Sequence, residues 1–309
     1  MTDVVILSSS EQFSRELRQA FSLQRPDITP LFADDPAASG AEIAACWFPE
    51  SGTLNRYPQL KLIHSVAAGV DHLGAELLQS GKVICRVVDE NQKQGMFEYI
   101  LWAVLYFHRD LHRVLKNNQQ RYWQRCPQRL ASEICIGIMG MGEIGRYVGE
   151  KLAQLGYRVN GWSRSHKEVP GIRCFNGDVE RDQFLSQAGI LVNLLPLTPE
   201  TKGILCHSTL SQLPEGAALI NCGRGLHMVP QDIISATESG RLQGAVLDVF
   251  PHEPLPVDDP LWTTRGIIVT PHMASAASFG TIARQIGENI DRFNSGSSPH
   301  NAINPLSGY

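Results

Sequence analysis

The sequence predicts an α/β protein built from two blocks of parallel β-sheet. Three observations carry that prediction. Short apolar runs alternate with helical or loop segments along both halves of the chain, the pattern of βαβ units. A glycine turn, Gly140-x-Gly142-x-x-Gly145, directly follows an apolar run and precedes a helical pattern. A long helical pattern over about 95–116 lies between the blocks. At 309 residues the chain is long enough for two domains of ordinary size.

In the first block, strands are expected at 4–8, 43–47, 62–66 and 83–87, with helical spacing over 11–21. No phosphate-binding turn occurs there. The long helix that follows places Ile100, Val104, Phe107 and Leu111 at apolar spacing. The second block opens with a strand at 134–139. Its glycine turn leads into a helix to about residue 155 and a strand at 157–162. Further strands are expected at 190–194, 217–221, 245–248 and 267–270. A helix at 230–239 starts on Pro230, which suits a first turn. The last helix, about 275–293, ends at the breaker run Asn294-Ser295-Gly296-Ser297-Ser298-Pro299. The short remainder is expected to pack back on the first block. The domains then read as 1–98 with 288–309, and 99–287.

Composition excludes several classes of function. Net charge is -4, which gives no electrostatic case for nucleic acid or an anionic membrane. The apolar run 4–7 is too short for a signal sequence or a membrane span. Seven cysteines without a C-x-x-C pair argue against a zinc site or a disulfide framework and for a reducing cytoplasm.

Each glycine of the turn has a physical reason. Gly140 lets the chain bend sharply off the strand, Gly142 lets a pyrophosphate reach the backbone, and Gly145 lets the helix pack close. Together with the intervening Met141, Glu143 and Ile144, they offer N–H groups and a helix dipole to phosphates. Strand, glycine turn, helix and strand within roughly 30 residues identify a dinucleotide-binding fold. NAD-binding folds usually carry an acidic residue at the end of the second strand. Here that position reads Trp162-Ser163-Arg164-Ser165. Hydroxyls and a guanidinium suit a 2′-phosphate, so NADP(H) is expected, with NAD(H) the alternative.

Three polar residues then follow successive strands of the second block: Arg224, Glu253 and His272. In an open α/β sheet the ligand crevice lies outside the carboxyl ends of the strands. Hydride delivered to a keto carbon leaves an alkoxide, and a histidine can protonate it near neutral pH. A carboxylate beside the imidazole favours its charged form, and an arginine can hold a substrate carboxylate. The sequence leaves two roles open for Asp248: a hydrogen bond to the nicotinamide side, or a loop cap.

On these residues the chain resembles the D-isomer-specific 2-hydroxyacid dehydrogenases. The matching segments are Ala68-Gly69-Val70-Asp71, the 140–145 turn, Leu195-Pro196-Leu197-Thr198-Pro199-Glu200-Thr201, the 221–225 arginine motif, the 248–254 segment and Thr270-Pro271-His272. They span the chain from about residue 43. Within the family it resembles the glyoxylate/hydroxypyruvate reductase A branch on 162–165, Met96-Phe97-Glu98-Tyr99, Leu255-Pro256 with Pro260-Leu261-Trp262, and the terminal Gly308-Tyr309. Ala68 departs from the glycine more usual there.

The resemblance implies a Rossmann domain, a flavodoxin-like substrate domain and a homodimer. It assigns Arg224 to the substrate carboxylate and carbonyl, and His272 to acid/base work with Glu253. It implies that the backbone at Ala68 and Gly69 holds the carboxylate and that Trp47 walls the pocket. Leu195, Pro196, Cys222, Gly223 and Asp248 would line the cofactor. The expected activity is NADPH-dependent reduction of a small 2-keto acid such as glyoxylate or hydroxypyruvate. The alternatives are a dehydrogenase for a bulkier keto acid and a dinucleotide-sensing, corepressor-like binding protein.

Overall fold

A computed structural model describes residues 2–303 of the chain. Gly308 and Tyr309 lie outside the described residues. In chain order the first elements are β1 (Thr2–Ser8), α1 (Glu11–Gln24), β2 (Ile28–Phe32), β3 (Ile43–Trp47), α2 (Thr53–Arg56), β4 (Leu62–Ser65), α3 (Gly74–Leu78) and β5 (Val83–Cys85). The five strands pair in parallel in the order β2-β1-β3-β4-β5. This is the flavodoxin-like order, with its switch point between β1 and β3. β1 is buried on both faces. Val4 and Ile6 join Leu17 and Phe21 of α1, whereas Val5 and Leu7 join Ala44, Ile63 and Leu77.

β2 is an addition to the strands expected from sequence. It contains Pro30, which reads as a strand breaker. At the edge of a sheet the missing N–H is tolerated.

The chain continues through α4 (Glu90–His108), α5 (Leu111–Gln119), β6 (Cys135–Met139), α6 (Glu143–Gln154), β7 (Arg158–Ser163), β8 (Arg173–Asn176), α7 (Arg181–Leu185), β9 (Ile190–Asn193), α8 (His207–Gln212), β10 (Ala217–Asn221), α9 (Pro230–Glu238), β11 (Leu242–Leu247), β12 (Ile267–Val269) and α10 (Phe279–Asn294). The second sheet is parallel throughout, in the order β12-β11-β10-β9-β6-β7-β8. Counted from β6 this is the doubly wound 3-2-1-4-5-6 order with one strand added, and its switch point lies between β6 and β9. β8 is the second strand that sequence did not predict, short and again at an edge. The single long helix expected over 95–116 is two helices. Asp110, at φ 52, adopts the left-handed conformation that breaks them.

Two units separate: Met1–Gln92 with Ala276–Tyr309, and Lys93–Ser275. Their limits differ from the expected 98/99 and 287/288. α10 belongs to the first unit as a whole, because Ile282, Ile286 and Ile290 are buried in one cluster with Leu17 and Phe21. Among the described residues no helix is long and apolar enough to cross a membrane.

Candidate active site

β6 is buried along its length and delivers the glycine turn at the switch point of the second sheet. Gly140 has φ +103, and a Cβ there would lie 2.7 Å from the backbone of Leu194. A Cβ on Gly145 would collide with the Gly140 carbonyl. These two glycines are thus demanded by the turn itself. Gly142 is different, because nothing lies within 4 Å of where its Cβ would stand. Its open flank, at the start of the twelve-residue α6, leaves backbone N–H groups accessible to a pyrophosphate. Met141 is buried and turns its side chain toward Gly161. Glu143 is exposed and paired with Lys93 at 3.3 Å, and Ile144 is half-buried.

β7 ends on Ser163, whose hydroxyl donates to Ser165 O at 2.7 Å. Arg164 and Ser165 are exposed. No carboxylate ends this strand. The loop after β9 approaches the same region. The Glu200 carboxyl there is held below its usual range chiefly by a hydrogen bond from Thr198, with a smaller contribution from the charge of Arg164. Glycines, helix terminus and strand end fit a nicotinamide dinucleotide. Leu195 packs inward with the core, and Pro196 is half-buried at the turn. Cys222 and Gly223 are buried where the arginine loop begins, and burial pushes the Cys222 thiol pKa well up.

Arg224 follows β10, half-buried, with Nη1 donating to Gly223 O at 2.8 Å. A Cβ on the next residue, Gly225, would collide with the Phe250 carbonyl, so the arginine loop lies against the loop that carries Glu253. The Glu253 carboxylate has two anchors. Oε1 accepts the Phe250 N–H at 2.8 Å, and Oε2 lies 2.7 Å from His272 Nδ1. Burial alone would raise the Glu253 pKa. The hydrogen bonds from His272 and Phe250, with the charges of His272 and Arg224, outweigh it and hold the group lower. The same hydrogen bond raises His272 against partial burial and against the charge of Arg224. Arg224, Glu253 and His272 therefore come together as one electrostatically coupled group.

His272 sits at φ 50, a left-handed conformation uncommon outside glycine. Its N–H donates to Asp248 O at 2.9 Å and to Thr270 O at 3.0 Å. Asp248 is 1% exposed. Its Oδ1 accepts the Thr270 hydroxyl at 2.7 Å and the Met273 N–H at 2.9 Å, and its Oδ2 accepts the Ala274 N–H at 2.9 Å. Of the two roles left open by the sequence, this geometry realises the loop cap.

Sequence reasoning missed the support behind this loop. Tyr99 OH lies 2.5 Å from Thr270 Oγ1, whose proton goes to Asp248, so Tyr99 donates. It also missed Asn193, Asn221 and His227, buried beneath the arginine loop. Two successive apolar strands that both end on asparagine were the available signal.

The remaining predicted residues belong to the other unit. Trp47 ends β3 and is half-buried, its ring 4.9 Å from those of Phe48 and His72 and 5.9 Å from that of Phe13. Ala68 and Gly69 lie in the turn after β4. There Ser65 Oγ is 3.0 Å from Ala67 O and 2.8 Å from Gly69 O, and Arg86 Nη1 donates to Ala68 O at 3.2 Å. The Ser65 hydroxyl has one proton to give, with Gly69 O the nearer acceptor, and Arg86 holds the Ala68 carbonyl between them.

Comparison with known proteins places these features in context. The family described as "D-isomer specific 2-hydroxyacid dehydrogenase, NAD binding domain" matches residues 101–274. The chain is 36% identical over 275 residues to glyoxylate/hydroxypyruvate reductase A of Serratia proteamaculans (strain 568), covering 87% of this chain and 88% of the relative. A D-isomer specific 2-hydroxyacid dehydrogenase family protein from Klebsiella pneumoniae 342 superposes with a TM-score of 0.96 at 50% identity, over 99% of this chain and 98% of that one. The NADPH-dependent glyoxylate/hydroxypyruvate reductase of Sinorhizobium meliloti, solved with NADP and sulfate, gives a TM-score of 0.93 at 30% identity over the whole of both chains.

Proposed function

The chain belongs to the D-isomer specific 2-hydroxyacid dehydrogenase family and is an NAD(P)-dependent oxidoreductase. We propose that it reduces a small 2-keto acid of the glyoxylate or hydroxypyruvate type to the 2-hydroxy acid, with NADPH preferred. One observation carries the reading: the 2.7 Å contact between His272 and Glu253, under the charge of Arg224.

A nicotinamide dinucleotide held by the glycine turn would supply hydride chemistry at the keto carbon. Glu253 favours the protonated form of His272, which gives its proton to the keto oxygen from Nε2, the ring nitrogen that Glu253 leaves free of its own contact. Arg224 holds the substrate carboxylate and polarises the carbonyl. In the other unit, the resemblance supports substrate-binding roles for the N–H groups of Ala68 and Gly69, in a turn steadied by Ser65 and Arg86, and for the ring of Trp47.

Residues 140–145 take the pyrophosphate on backbone N–H groups. Leu195, Pro196, Cys222 and Gly223 line the cofactor by their backbone and turn geometry. Asp248 serves it by holding the His272 loop. Ser163, Arg164 and Ser165 take a 2′-phosphate, supported by the lack of a carboxylate at the end of β7. The NADPH dependence of the Sinorhizobium meliloti relative supports the same preference.

A homodimer completes the reading. α5 places Leu111, Val114 and Leu115 at helical spacing yet buries none of its residues. Tyr122, Trp123 at 94% exposure and Leu130, which follow α5 in the chain, are exposed as well, and a second copy would cover these apolar side chains. Light scattering on the purified protein should give the mass of two chains.

The test of function is NADPH oxidation with a panel of 2-keto acids, repeated with NADH. Turnover of glyoxylate or hydroxypyruvate with a lower KM for NADPH than for NADH is expected. Preference for a large keto acid would overturn the substrate assignment. Tight NADPH binding without turnover of any panel member would mark a sensor instead.

A further inference from the structure

β9 and β10 both end on asparagine inside apolar surroundings. Asn193, Asn221 and His227 are all 0% exposed. Three polar side chains buried so completely are costly unless they are hydrogen-bonded. Here they satisfy one another and the two loops above them. Asn193 Nδ2 donates to Asn221 Oδ1 and to His227 Nδ1, each at 2.9 Å. Asn221 Oδ1 also accepts the Gly223 N–H at 3.2 Å, and Asn193 Oδ1 accepts the Leu195 N–H at 3.3 Å.

His227 joins the two loops directly. Its Nδ1 accepts the Arg224 N–H at 3.0 Å, and its Nε2 lies 3.1 Å from Pro196 O. A backbone N–H can only donate and a carbonyl can only accept. The ring is therefore neutral, protonated on Nε2 and bare on Nδ1. The arginine loop runs immediately over it. A Cβ on Gly223 would lie 2.9 Å from His227 Nδ1 and 2.7 Å from Asn193 Nδ2. One imidazole thus spans the turn at Pro196 and the backbone of Arg224. An apolar side chain of similar volume would take the ring acceptor from the Arg224 N–H in a buried setting, and would leave the Pro196 carbonyl only its bond from the Thr201 hydroxyl at 2.8 Å, no longer tied to the arginine loop.

We propose that His227 is a positioning residue, whose neutral Nε2-protonated imidazole sets the Arg224 loop against the cofactor-facing turn at Pro196. The inference rests on the reading of Arg224 as the substrate-carboxylate ligand and of Pro196 as part of the cofactor wall. His227 touches neither ligand. It acts by fixing where two ligand-binding loops stand.

Single substitutions separate its two bonds. His227→Asn keeps an acceptor near the Nδ1 position but is too short to reach Pro196. His227→Gln can still donate to Pro196 but loses the acceptor for Arg224. His227→Leu loses both. With glyoxylate as substrate, His227→Gln should raise the keto-acid KM by about tenfold with the NADPH Kd nearly unchanged. His227→Asn should raise the NADPH Kd and spare the glyoxylate KM, and His227→Leu should raise both. A loss of stability alone would lower the unfolding temperature of all three variants without this split. The same change in both constants for Asn and Gln, or no change in either, would overturn the proposal. The wild-type protein supplies a second test that needs no variant to fold. A long-range proton–nitrogen correlation spectrum at neutral pH should show His227 protonated on Nε2 only, and an Nδ1-protonated or charged ring would overturn it. Failure of the wild type to turn over any 2-keto acid would overturn the functional reading instead. The tautomer and the NADPH Kd would still decide the role of His227.

Discussion

His272 Nδ1 stands 2.7 Å from Glu253 Oε2, and the opposite oxygen of that carboxylate is held by the Phe250 N–H. The carboxylate cannot swing away without giving up a backbone hydrogen bond. It therefore does two things at once: it orients the imidazole and favours its charged form.

Removal of the ring tests the proton donor. His272→Ala should lower kcat by about 10²–10⁴-fold, the usual worth of a positioned acid. NADPH affinity, measured by fluorescence titration, should change little, because the imidazole is not asked to hold the cofactor. Retention of most of kcat at neutral pH would remove His272 from its role.

The pH profile tests the pair. Glu253 raises the His272 pKa, so the protonated donor persists to higher pH than an ordinary imidazole would allow. For reduction, kcat/KM should be high on the acid side and fall as pH rises through that raised pKa. Glu253→Gln removes the charge that raises it. The falling limb should then move to lower pH, and a limb that stays in place would break the coupling.

Asp248 tests the loop. Replacing it with Asn keeps the shape but puts an amide donor where the Met273 or Ala274 N–H needs an acceptor. The substitution should destabilise the protein by about 2 kcal/mol, as expected for an unpaired buried donor. It should also lower kcat more than it weakens NADPH binding, since the loop it holds carries His272. Urea unfolding and steady-state kinetics measure the two effects.

Arg164 tests cofactor choice. It is exposed at the end of β7, and a guanidinium there can bind a 2′-phosphate through paired hydrogen bonds. Arg164→Ala should raise the KM for NADPH by about tenfold and leave that for NADH nearly unchanged. An equal rise for both cofactors would assign the residue to a different contact.

Much of this protein was legible in the chain itself. The parallel sheets followed from alternating apolar runs, and the dinucleotide turn from three glycines after a buried strand. Arg224, Glu253 and His272 stood out because strand ends in such a sheet converge on one rim. These features are local: each is written within a few residues and read through a repeating geometry. The edge strands β2 and β8 were not legible, since their pairing depends on a neighbour's position rather than on their own pattern. Nor were the left-handed backbone at His272, the cap by Asp248 or the buried bridge of Asn193, Asn221 and His227. Those depend on which backbone N–H faces which side chain across 22 to 34 positions of sequence. Residue types and spacing determined what chemistry the chain carries. Only the packed structure decided how its acid, its arginine and its cofactor turn are held still, because hydrogen bonds between distant segments exist only once those segments meet.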